Sequence, residues 1–198
     1  MSTPQESRQS ESDDYVQMLR QGGRFGVVGW LVGIVVSVVL FRSPSLQPGQ
    51  GIAGANIDTV LVQVPGWRLG TYTYYGGHFV QITPEDLMYG PVNLALHAGG
   101  VALLAFVLPV VVLACAGYVH VQRQDPDSLS DARRYGASIV GGYAVLMVAG
   151  VFLFNYSTTD SYGNYWAITL SFARTVVFAV VYPVVFGAVG GQIAYSSR

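Results

Sequence analysis

Long apolar runs alternate along the chain with short polar stretches, and the runs are too long to be strands. Four of them approach the roughly 20 residues that an α-helix needs to cross a hydrocarbon core: about 25–41, 92–119, 136–154 and 166–195. The first is fenced by Arg24 and Arg42 and holds no ionisable residue. It exceeds the 7–15 residues of a leader's apolar region. Arg42-Ser43-Pro44 also offers no small-x-small cleavage site, so the run reads as a retained helix. The second and fourth runs are long enough to tilt, and Pro109 and Pro183 inside them predict kinks. The pattern predicts an all-α integral membrane protein: a four-transmembrane-helix bundle occupying 25–195.

The polar stretches predict the rest. Residues 1–24 form an N-terminal segment, first a disordered polar tract and then a short amphipathic helix. That helix begins at Ser12, with Asp13 and Asp14 in its first turn, and ends at Gly22-Gly23. The loop 43–90 opens as Pro/Gly/Gln coil and continues as three β-like runs, Asp58–Val64, Trp67–Tyr75 and His78–Thr83. Pro65-Gly66 and Gly76-Gly77 separate the runs, which predicts a small extracellular antiparallel β-sheet in this first outer loop. Thr83-Pro84-Glu85-Asp86 reads as a helix start, with Thr83 as cap and Pro84 in the first position. Trp67, Tyr72, Tyr74, Tyr75 and Phe79 give the loop an aromatic outer surface, suited to partner or sugar recognition, or simply to strands and the membrane interface. Asn155-Tyr156-Ser157 is an N-glycosylation acceptor pattern at Asn155. The segment 122–134 reads as a solvated turn with a helix cap, and 196–198 as a short tail.

Composition agrees with a membrane chain. Hydrophobic residues make up 52% and charged residues 11%, against about 25% charged in an ordinary soluble domain. That balance excludes a disordered chain and a basic nucleic-acid binder. All ten basic residues are Arg. Arg8, Arg20, Arg24, Arg123, Arg133, Arg134 and Arg198 fall on one side of the predicted spans. The other side holds Arg68, with Arg42 at its border, so both termini are expected to be cytoplasmic in a multi-pass protein of the cell membrane. Cys115 is a lone cysteine, and His78, His97 and His120 are too scattered for a metal motif. No cofactor is expected.

Small residues recur at helix-packing spacing: Gly26, Gly29 and Gly33; Ala95, Ala98 and Ala102; Ser138 and Gly142; Gly187 and Gly191. Arg174 is the charged residue inside a predicted span, eight positions beyond Trp166 or about 12 Å along a helix. Ser171, Thr175 and Tyr182 share its face, and Asn93 and His97 open the second span at a matching depth. Two readings compete. Arg174, His97 and Asn93 line an outward vestibule for an anion or a proton, or Arg174 pins the outer loop through Glu85, Asp86 or Asp160. The second is favoured, because polar positions through the full depth of the spans are few.

Four spans, internal termini, a long β-prone first outer loop and a short second one resemble the claudin layout in topology. Gly66-Trp67-Arg68-Leu69 departs from the claudin loop pattern, and the paired cysteines are absent. The lack of Lys, the acidic start Ser10-Glu11-Ser12-Asp13-Asp14-Tyr15 and the Val/Gly/Ala-rich spans resemble uncharacterised small membrane proteins of salt-loving archaea. No G-x-S-x-G, H-E-x-x-H or phosphate-loop pattern occurs. The expected function is non-catalytic: an accessory, scaffold or envelope interaction component in the lipid bilayer, with a protein partner or as a homo-oligomer. The alternative is a small oligomeric transporter or channel using the Arg/His vestibule.

Overall fold

Four helical stretches are long and apolar enough to cross a membrane: Tyr15–Phe41, Gly100–Gln122, Leu129–Leu153 and Phe172–Ser196. They belong to a computed structural model that describes residues 4–42, 61, 63–85, 90–159, 163 and 165–198, with 4–14 described by backbone alone. In chain order the helices are α1 (Pro4–Phe41), α2 (Gly66–Gly77), α3 (Leu94–Ala98), α4 (Val107–Gln122), α5 (Leu129–Ala137), α6 (Val140–Leu153) and α7 (Phe172–Ser196). A 3₁₀ stretch, Gly100–Phe106, leads into α4. The strands are β1 (Ile82–Glu85), β2 (Tyr156–Thr159) and β3 (Tyr165–Leu170).

Backbone contact at glycine builds the bundle. α7 packs on α4, α5 and α6, while α1 packs on α4 and α6. A Cβ on Gly117 or on Gly136 would run into the Gly187 carbonyl, one on Gly190 into Ala114, and one on Gly191 into Ala132. Across the bundle, Gly26 meets Ile139 and Gly142 meets Gly23. Such close approach brings the helix backbones within dispersion range of one another, the kind of contact that holds helices together where no hydrophobic force can. Four passes along the bundle leave Tyr15, Gln122, Leu129 and Ser196 at one end, and Phe41, Gly100, Leu153 and Phe172 at the sheet end. At the end opposite the sheet, Ser128 caps α5 by accepting from the Asp131 N–H at 3.1 Å. Arg133 bonds Gln192 at 2.9 Å, and Arg198 pairs with Asp125.

Several expected boundaries move. α1 is continuous from Pro4 to Phe41, so the disordered tract and the break at Gly22-Gly23 are replaced by one helix; Gly22 and Gly23 serve as contact points for Ser138 and Gly142 instead. The second span begins at Gly100, because Gly99 and Gly100 adopt φ values of +61° and +52°, a conformation cheap for glycine alone. Pro109 then falls in the first turn of α4, where a missing N–H costs little. The fourth span starts at Phe172, since 166–170 form a strand.

A small antiparallel sheet exists, but other residues build it. Its order is β1-β3-β2, so two strands come from the second loop. The expected strand at 58–64 lies outside the described residues except for Leu61, Gln63 and Val64, and none of these is in a strand. Trp67–Tyr75, expected as a strand, is helix α2. Thr83-Pro84-Glu85 continues β1 rather than starting a helix. Pro84 pairs with Ile168 on a strand bonded to β3 on one side, the edge position where a missing donor is tolerated.

Candidate functional site: the capped end of a buried helix

Helix α2 descends from the sheet end into the middle of the bundle, and the chain returns to the same end as β1. Gly66 meets Arg42 at the top of α1, Gly70 meets Val38, Tyr74 meets Gly33, and Gly77 meets Ala105. Residues Gly70 through Gly77 are all buried. Tyr74 and Gly77 bond Tyr143 and Tyr182, each ten residues inside its helix. That is about 15 Å from the sheet-end termini of those helices at 1.5 Å per residue, well inside the bundle.

A backbone polar group buried there needs a protein partner. The end of a helix is the hard case, because its last carbonyls have no intrahelical donor. Here each one finds a bond. The His78 imidazole takes the Tyr74 carbonyl at 2.9 Å. The Val80 N–H donates to Tyr75 at 3.1 Å and the Phe79 N–H to Gly76 at 2.9 Å, the two bonds of a Schellman motif. The Asn93 amide also donates to Gly76, at 2.9 Å, and the Tyr182 hydroxyl to Gly77 at 3.1 Å. Arg174 Nη1 reaches the Phe79 carbonyl at 3.5 Å.

Asn93 and Arg174 of the expected vestibule, with Tyr182 of the same polar stripe, are therefore brought together, around carbonyls rather than around a cavity. Asn93 is a helix cap as well, accepting from the Leu96 N–H at 3.2 Å. Because α7 starts at Phe172, Arg174 sits in its first turn and is exposed, so its guanidinium is close to the helix end and cheap to solvate. The deep placement expected for Arg174 is corrected. The Thr175 hydroxyl bonds back to the Ser171 carbonyl at 2.8 Å, and His97 is half-buried on α3. Among the described residues Arg174 makes no ion pair with Glu85; Asp86 and Asp160 lie outside them.

The aromatic surface expected on the first loop is also corrected. Tyr72, Tyr74 and Tyr75 are wholly buried, while Trp67 at 46% and Phe79 at 44% stay exposed. Tyr72 and Tyr75 donate to the Phe154 and Met147 carbonyls, at 2.7 and 2.8 Å, and so fasten α2 to α6. On the other side, the Ser37 hydroxyl of α1 donates to Gly70 at 2.7 Å.

The innermost group is a chain of three side chains, all fully buried. The Tyr74 and Tyr143 hydroxyls are 2.7 Å apart, and the Tyr143 hydroxyl is 2.6 Å from His78 Nε2. Its direction follows from one acceptor. A carbonyl can only accept, so His78 Nδ1 carries the proton given to the Tyr74 carbonyl and Nε2 of the neutral ring is bare. Tyr143 then donates to Nε2, and Tyr74 donates to Tyr143. The circuit starts on the side chain of Tyr74 and closes on its backbone.

Phe79 is the strained member. Its φ is +58°, the left-handed conformation that usually falls to glycine at this position of the motif. Its ring packs 5.0 Å from Phe106 and 5.9 Å from Phe178. Phe79→Ala gives up that ring packing and keeps the strain, whereas Phe79→Gly gives up the packing and the strain together. Phe79→Gly should therefore unfold later than Phe79→Ala, by about 1 kcal/mol. Equal stability of the two in detergent unfolding would deny that strain.

A family match covers residues 1–198. The chain belongs to DUF7978, a family of unknown function. Comparison with curated proteins and with solved structures gives no match. Among the described residues no group of three His, Cys, Asp or Glu side chains is placed to hold a metal ion.

Proposed function

We propose that this DUF7978 member is a non-catalytic integral membrane protein of the cell membrane that acts by interaction. Its sheet end faces outward and both chain ends face the cytoplasm. The orientation rests on Arg20, Arg24, Arg123, Arg133, Arg134 and Arg198, which belong to the end opposite the sheet. The observation that carries the reading is α2 itself. It fills the centre of the bundle from the sheet end, and its polar groups are spent on bonds to α1, α6 and α7. A conduction or transport route needs polar groups left available to a passing solute. A stiff bundle that holds a folded sheet at its surface suits an accessory subunit or scaffold.

The test pairs two measurements on the full chain. In native membranes extracted with mild detergent, the protein should run as a complex with a stoichiometric partner. In liposomes, the purified protein should pass neither protons nor small ions faster than empty vesicles do. Saturable flux abolished by Tyr143→Phe would instead favour the transporter reading.

A further inference from the structure

We propose that the face of the sheet turned away from the bundle binds a single sugar ring, so that carbohydrate is the chemistry recognised at the interaction end; the inference rests on the reading of that end given above. The register decides which residues share this face. Ile82, Trp166, Ile168 and Leu170 are buried in the main core, so their alternates along each strand point away from it. β3 thus presents Tyr165, Ala167 and Thr169. β1 places Glu85 opposite Ala167, and β2 places Ser157 opposite it on the other side, with Asn155 leading in. A methyl group at the centre of longer side chains leaves a hollow. Those six residues, flanked by Tyr156 and Ile168, line a cavity of about 200 Å³.

Their chemistry fits a pyranose better than the alternatives. Tyr165 is exposed and offers a flat, amphipathic ring to the C–H face of a sugar. The Glu85 carboxylate accepts from adjacent hydroxyls, the Asn155 amide both donates and accepts, and the Ser157 hydroxyl does either. The Thr169 hydroxyl donates to the Thr83 carbonyl at 3.4 Å and so keeps its lone pairs for a ligand hydroxyl. Among the described lining residues Glu85 is the one acid and none is basic, a balance that disfavours phosphates and uronates. The hollow is also smaller than the roughly 300–1,000 Å³ of sites for drug-sized ligands, which limits it to one ring rather than an oligosaccharide or a peptide.

The test titrates the purified full chain in detergent with glucose, galactose, glucosamine and glucuronate, reading binding by calorimetry. At least one of the first three should bind saturably at one site, and glucuronate should not. Ala167→Leu fills the hollow and should weaken that binding by about tenfold or more. If Ala167→Leu lowers the unfolding temperature, Tyr165→Ala replaces it and should weaken binding at least severalfold. Glu85→Gln should weaken glucosamine more than glucose. Saturable binding by none of the sugars, undiminished binding by a folded variant, or glucuronate binding as well as glucose overturns the inference. A chain that binds no sugar but still runs with a stoichiometric partner overturns the sugar site and leaves the interaction reading standing. Sugar binding accompanied by solute flux does the reverse.

Discussion

Gly187→Ala should destabilise the bundle by about 3 kcal/mol, the upper end of the range for overpacked cores. The added methyl meets the Gly136 carbonyl oxygen and Ile139, and Gly117 approaches the same stretch of α7 from α4. A side chain in the way could rotate; a helix backbone cannot, so α7 has to leave α5, α4 or both. That separation weakens the dispersion attraction that holds helices together where lipid offers no hydrophobic drive. Gly29→Ala is the control. Its methyl would meet the side chains of Ala116 and Val112 at 3.5 and 3.7 Å, ordinary contact distances. Alanine is also the better helix former by up to about 1 kcal/mol, so Gly29→Ala should be neutral or stabilising. Chemical unfolding in detergent micelles separates the two, and a difference of less than about 1 kcal/mol would sink the account of the bundle as a glycine-contact structure.

The four long helices were legible because span length is a blunt demand and the chain meets it with apolar runs. The stripes at Gly26, Gly142, Gly187 and Gly191 were legible for the same kind of reason, since close approach has a fixed spacing. The buried helix was not. Thr71-Tyr72-Thr73-Tyr74 alternates as a half-buried strand does, and both residue types favour strands. In the bundle, Thr71 and Thr73 bond back to the Trp67 and Leu69 carbonyls at 2.9 and 2.8 Å, which lets threonine sit in a helix without an unsatisfied hydroxyl. The tyrosines each find a carbonyl or a hydroxyl on a neighbouring helix. Tertiary partners override local preference here, and no window of the sequence contains them. One signal was present: Gly66 and Gly70 stand four apart, the same small-xxx-small spacing that marks the spans.

The polar residues near the spans are visible in the sequence, but their purpose is not. Asn93, Arg174 and Tyr182 do converge, as their helical positions suggest. What they converge on is the carbonyl end of a helix, and a strand at 67–75 would have no such end. Without it, a cluster of donors facing inward reads as a vestibule. With it, the same donors are the caps that a helix terminus buried inside the bundle requires. The start of the fourth span matters equally, because counting from Trp166 puts Arg174 about 9 Å deeper than the helix beginning at Phe172 does.

The Tyr74–Tyr143–His78 circuit makes a prediction that plain side-chain counting would miss. Tyr143→Phe removes one hydroxyl but leaves two groups unpaired, the bare Nε2 of His78 and the hydroxyl of Tyr74. At about 1–3 kcal/mol for each buried unsatisfied group, the loss should be roughly 2–6 kcal/mol. Tyr74→Phe removes the first donor of the chain, and Tyr143 still gives its proton to His78; the cost should be about 1 kcal/mol. The double variant is the decisive one. With Tyr143 already Phe, deleting the Tyr74 hydroxyl removes an orphan, so Tyr74→Phe/Tyr143→Phe should be no less stable than Tyr143→Phe alone. A double-mutant cycle by detergent unfolding reads this as a coupling opposite in sign to simple addition. Additive losses, or Tyr74→Phe costing as much as Tyr143→Phe, would mean that the three groups do not act as one directed chain, and that the tautomer assigned to His78 is wrong.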